Sequence, residues 1–117
     1  MQEQAKYRVV WIEQTARYQV QVIRPRIIFG WLGITPDSAR WFHLLQQISS
    51  FHFQGRRGHF TARKETRKRG GVYWIAYRHI HGKLRKKYVG PQARVTVARL
   101  EEIAGELEMG PRPKAGA

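Results

Sequence analysis

Along the first third of the chain, apolar and polar residues recur with the period of strands. Residues 7–12 (YRVVWI) and 18–23 (YQVQVI) predict two strands, and the second alternates Tyr18, Val20 and Val22 with Gln19 and Gln21. The four residues from Glu13 to Ala16 are short enough to join them as a hairpin. Arg26–Phe29, isolated by Pro25 and closed by Gly30, reads as a third short strand. The period then changes. Thr35-Pro36-Asp37 predicts a helix start, with Thr35 as N-cap, Pro36 at the first helical position and an acid in the first turn. Trp41, Leu44, Leu45 and Ile48 follow at helical spacing, which predicts a helix from Pro36 to Ser49.

Strand patterns return with Phe51–Gln54 and His59–Glu65 around Gly55-Arg56-Arg57-Gly58, and with Val72–Ile80 and Lys83–Val89 around His81-Gly82. Gly70-Gly71 separates the two hairpins, and Gly90-Pro91 ends the last strand. Thr96 is placed to cap a final helix, Val97–Glu108, whose apolar face is Val97, Leu100, Ile103, Ala104 and Leu107. Its other face carries Glu101, Glu102, Glu106 and Glu108. The predicted class is α+β: an antiparallel sheet with two amphipathic helices, the second behind a basic hairpin sheet. One domain is expected over 1–109, comprising N-terminal strands (1–34), a helix (35–50), a basic sheet (51–90) and a helix (95–109). A flexible tail is expected over 110–117.

Charge changes this picture most. Between Gly55 and Arg94 stand thirteen Lys or Arg and one acid, Glu65, a net +12 of the chain's +14. Such a density of one sign destabilises the folded state unless an anion neutralises it. Nucleic acid, whose phosphates release condensed counterions on binding Lys and Arg, is the expected polyanion. The C-terminal helix is acidic, so it is unsuited to a groove walled by phosphates, and a helix-turn-helix reading is disfavoured. The positive charge belongs to strands and turns, and two- or three-stranded sheets fit a major groove.

The expected contacts are Arg56, Arg57, Arg63, Lys64, Arg67, Lys68, Arg69, Trp74, Arg78, Lys83, Arg85, Lys86 and Lys87. Phosphates are assigned to the Arg56-Arg57 turn and the Arg67–Arg69 loop, bases or groove to strand residues such as Arg78 and Lys86. Val72, Trp74, Ala76 and Arg78 are taken to face outward, and Tyr73, Ile75 and Tyr77 inward.

The arrangement of a basic strand, YWIAYR, a Gly turn, a basic strand ending in YVG and then a helix resembles two sheet-reading DNA-binding modules. These are the ethylene-response-factor type and the N-terminal arm-binding module of tyrosine-recombinase phage integrases. The succession WFHLLQQISSFHFQGRRGHFTARKE, RGGVYWIAYR, GKLRKKYVG and TVARLEEIA is similar to the segment ahead of the ATPase module in large LuxR-type bacterial transcription regulators, over about Trp31 to Leu107. None of these 117 residues is expected to belong to such an ATPase module. The resemblances imply bacterial or phage transcription regulation, or recombination and transposition as an accessory factor, in a larger complex.

Other chemistries find little support. The chain has no cysteine, which excludes disulfides, thiol catalysis and cysteine zinc sites. His79 and His81 lack the acids that would complete a metal site, and between residues 14 and 100 the acids are Asp37 and Glu65 alone. No enzyme, cofactor, metal or small-molecule substrate is expected. With no membrane-length apolar run and no signal-peptide pattern, the expected place is the cytoplasm, at the nucleoid. Two alternatives remain open. The same surface would suit an RNA-binding or ribosome-associated protein, and Trp11, Phe29 and Trp31 could give the N-terminal strands a protein-interaction role.

Overall fold

In a computed structural model of the chain, residues 6–24, 27–31 and 33–109 are described, with side chains for 6–23 and 33–109. The elements are β1 (Lys6–Ile12), β2 (Arg17–Arg24), β3 (Ile27–Trp31), α1 (Ala39–Gln47), β4 (Ser50–Gln54), β5 (His59–Thr66), β6 (Val72–Ile80), β7 (Lys83–Pro91) and α2 (Val97–Met109). The α+β class and the strand positions follow the expected ones. The tail expected over 110–117 and, of the residues considered for a protein-interaction role, the side chains of Phe29 and Trp31 lie outside what is described.

The strands form one sheet in the order β3-β2-β1-β4-β5-β6-β7. It is not wholly antiparallel: β1 and β4 pair in parallel, Arg8 opposite His52 and Val9 opposite Phe53. A meander β1-β2-β3 therefore lies beside a second meander β4–β7, with α1 in the connection between them. The β6–β7 turn, His81-Gly82, has φ of 52° and 78°, the doubly positive geometry of a type I′ turn that suits strand twist.

Both helices cover the same face. Val9, Val20, Phe51, Phe53, Phe60, Ala62, Trp74 and Ala76 of the sheet form one buried cluster with Trp41, Leu44 and Leu45 of α1, Ile48, and Leu100, Ile103, Ala104 and Leu107 of α2. Side chains of a strand alternate between faces, and every buried residue of β4, β5 and β6 belongs to the helix-covered side. The other side of the sheet carries no helix among the described residues.

Helix α1 starts later than expected. Ser38, not Thr35, is its N-cap, its hydroxyl accepting from Trp41 N at 3.3 Å. Asp37 has φ of 69°, a left-handed conformation that cannot sit in a helical first turn. Its carboxylate instead accepts from Val97 N at 2.8 Å, placing negative charge at the N-terminus of α2, where the helix dipole favours it. Thr96 caps α2 as expected, its hydroxyl accepting from Arg99 N at 3.3 Å. No helix among the described residues is long and apolar enough to cross a membrane.

Candidate nucleic-acid interface

Strand register divides the basic segment between the two faces. On β5, Arg63 and Glu65 share the bare face with Thr61, while Ala62 and Lys64 turn towards the helices. On β6, Tyr73, Ile75 and Tyr77 look out from the bare face and Trp74, Ala76 and Arg78 look towards the helices. On β7, Leu84, Lys86 and Tyr88 are on the bare face, opposite His79, Tyr77 and Ile75, whereas Lys83, Arg85 and Lys87 are on the other. This reverses the orientation expected for β6. Trp74 is fully buried and is a core residue rather than a contact. A tryptophan buries the largest apolar area, whereas a tyrosine keeps its hydroxyl in water when it faces out.

Two of the helix-side cations meet acids, whereas the Nε of Arg85 is buried without a hydrogen-bond partner. Arg78 pairs with Glu108 at 2.5 Å and Lys87 with Glu106 at 2.8 Å, both acids on α2. The Arg78 hydrogen bond holds the Glu108 carboxyl below its ordinary pKa. Lys64 donates to the Gln46 carbonyl near the C-terminus of α1 at 3.2 Å and lies 5.5 Å from the Trp74 ring; burial lowers its pKa. Arg85 is half-buried beside Arg78, and Lys83 is exposed at the strand's start.

The Arg56-Arg57 turn also leans towards the helices. Both backbone N–H groups donate to the Glu101 carboxylate, at 2.7 and 3.0 Å, and Tyr18 Oη donates to the same group. Burial first and this hydrogen bond second push the Tyr18 pKa up. A Cβ on Gly55 would be driven into the Phe53 ring and the Glu101 carboxylate, so only glycine lets the turn approach this closely. Arg56 lies over the Trp11 ring at 4.9 Å. Lys68 and Arg69 are exposed in the turn between β5 and β6.

On the bare face the pattern is different. Arg63 and Lys86 flank the Tyr77 ring at 5.6 and 5.7 Å. Arg67 lies over the Tyr73 and Tyr88 rings, at 5.0 and 6.0 Å, and donates to Tyr88 Oη at 3.2 Å. Tyr73 and Tyr88 are 5.8 Å apart between ring centroids. Among the described residues no carboxylate forms an ion pair with Arg63, Arg67 or Lys86. Glu65, the acid of this face, accepts from Tyr77 Oη at 2.9 Å. That bond raises the Tyr77 pKa, with desolvation a lesser cause.

The face continues across β4 and β1. His52 approaches Thr61 Oγ1 at 3.4 Å and the His59 ring at 5.7 Å, and Arg8 donates to Gln21 at 2.6 and 3.0 Å. Burial, then His59 and Arg8, lower the His52 pKa. Of the thirteen expected contacts, Arg63, Arg67 and Lys86 thus meet on one surface, with Lys68 and Arg69 at its margin. Tyr73, Tyr77 and Tyr88 were not among the expected contacts. Unbroken alternation of Phe51/Phe53 against His52/Gln54, carried across the hairpins, is the signal that points to them.

Residues 38–102, more than half of the chain, match the family model of a domain of unknown function (DUF6788). No curated protein and no solved structure matches the chain.

Proposed function

Since the chain belongs to the DUF6788 family, whose description assigns no activity, its own surfaces must supply the reading, and we propose that it binds nucleic acid through the bare face of its sheet at the β5–β6–β7 end. The observation that carries this is the contrast in pairing: Arg78 and Lys87 meet carboxylates of α2, whereas Arg63, Arg67 and Lys86 meet tyrosine rings. Unneutralised guanidinium and ammonium groups grouped with aromatics on an open surface suit phosphates and bases together. Duplex DNA would be met at the edge hairpin β6–β7, a two-stranded ribbon of the width a major groove admits, with the Arg67–Arg69 turn on phosphates. The setting in transcription regulation or recombination, at the nucleoid, rests on the resemblances of sequence.

Affinity for random duplex DNA, single-stranded DNA and structured RNA across a salt series tests the proposal. The expected result is binding that weakens steeply with salt, and that is lost on the order of tenfold for each cation reversed in Arg63→Glu and Lys86→Glu. Failure to bind any of the three polymers at low salt would contradict it.

A further inference from the structure

Resting on that reading, we infer that the occupant of the bare face is an unpaired polynucleotide strand, with bases stacked on Tyr73, Tyr77 and Tyr88 and phosphates held by Arg63, Arg67 and Lys86. Shape is the first reason. Seven strands about 4.8 Å apart give a face roughly 30 Å across, and a major groove about 12 Å wide cannot receive it. A duplex groove would take only the edge hairpin β6–β7, leaving Arg63 on β5 outside it, while a single strand can lie across all three strands.

The aromatic geometry is the second reason. Tyr73 and Tyr88 form one platform at 5.8 Å. The Cα of Tyr77 lies four residues further along β6, about 13 Å away at the rise of a strand; its ring leans back to Glu65, opposite Tyr73, and forms a second. The hydroxyl of Tyr77 is held by Glu65 and that of Tyr88 by Arg67, so two rings are fixed before a base arrives and ordering them costs little on binding. Bases in a duplex are stacked on one another and offer no free face; unpaired bases do. Arg67 does not block the first platform, because a guanidinium plane itself stacks on bases and can close over a base seated on Tyr88.

The placement of Glu65 is the third. It is the carboxylate among the bare-face strand positions, opposite Tyr73 in register and bonded to Tyr77. Its charge repels phosphate from the space between the platforms and leaves that space to bases, while Arg63 and Lys86 draw the backbone to the flanks of Tyr77.

The test compares a mixed-sequence DNA single strand, the RNA of the same sequence and the corresponding DNA duplex, by fluorescence anisotropy at fixed salt. The proteins are the unaltered chain, Tyr88→Ala, which removes a half-exposed ring, and Tyr73→Ala, which removes the other ring of the same platform; circular dichroism melts establish that each is folded. Single strands are expected to bind tighter than the duplex. Tyr88→Ala is expected to weaken single-strand binding about 5- to 150-fold with a far smaller effect on duplex, and Tyr73→Ala to act in the same direction. The DNA and RNA arms identify which polymer is preferred, and either preference over duplex supports the inference. Tighter duplex binding, indifferent to Tyr88→Ala, would overturn it while leaving nucleic-acid binding standing. No binding in any arm would instead remove the reading on which it rests.

Discussion

On the covered side of the sheet, Arg78 meets Glu108, Lys87 meets Glu106, and the Arg56-Arg57 turn is fastened to Glu101. On the bare side, a few ångströms through the same strands, Arg63, Arg67 and Lys86 lie against tyrosines. Adjacent residues of one strand, Lys86 and Lys87, thus have opposite surroundings. The acidic helix, which argues against groove insertion when read alone, neutralises Arg78 and Lys87 beneath it and, among the described residues, pairs with none of Arg63, Arg67 and Lys86 above the sheet. A basic segment therefore holds two populations of charge, one paired with the acidic helix and one set against tyrosine rings, and the strand period sorts them.

The largest effect is expected at Trp74. If the covered side is core, Trp74→Ala should lower unfolding free energy by about 3–5 kcal/mol in denaturant titrations; a stable variant with impaired nucleic-acid binding would mean that the faces are exchanged. Glu101→Gln comes next. Its carboxylate accepts from Arg56 N, Arg57 N and Tyr18, and weakening these bonds should cost about 1–3 kcal/mol of stability while affinity for nucleic acid stays the same. Lys86 and Lys87 sharpen the contrast further: Lys86→Gln should reduce the steepness of the salt dependence by about one phosphate's worth, and Lys87→Gln should change it much less.

The smallest effects are those of pH, and they differ between the faces. The Tyr18 pKa is raised above its ordinary 10.0, so its contribution to stability is complete below pH 10.0 and is lost as pH rises through the folded value. The His52 pKa is lowered from 6.5, so its contribution is complete above pH 6.5 and is lost as pH falls through the folded value. Tyr18→Phe should flatten the alkaline limb of a stability–pH curve and His52→Asn the acid limb.

Much of this architecture was legible in the sequence because it is local. Phe51/Phe53 alternate with His52/Gln54, Leu100, Ile103, Ala104 and Leu107 recur at helical spacing, and Thr96 precedes them as a cap. The parallel pairing of β1 with β4 was not legible, since it joins segments some forty residues apart in register and no local pattern encodes it. The start of α1 misled because Thr35-Pro36-Asp37 has the composition of a cap, while Asp37 serves the other helix. Strand β6 is aromatic on both sides, so alternation gives two faces without saying which is buried. Burial of Trp74 beside the small, fully buried pair Ala62 and Ala76 decides it. The pairing of Arg78 and Lys87 with α2 depends on where the helix lies across the strands, which only the folded arrangement supplies.

The most direct test of the bare face as the binding surface is backbone amide chemical-shift mapping by NMR during titration with a short oligonucleotide. The largest changes are expected on Arg63, Arg67, Tyr73, Tyr77, Lys86 and Tyr88, with α1 and α2 nearly silent. Changes concentrated on α2 and the Arg56-Arg57 turn, with Tyr77 and Lys86 unmoved, would contradict it.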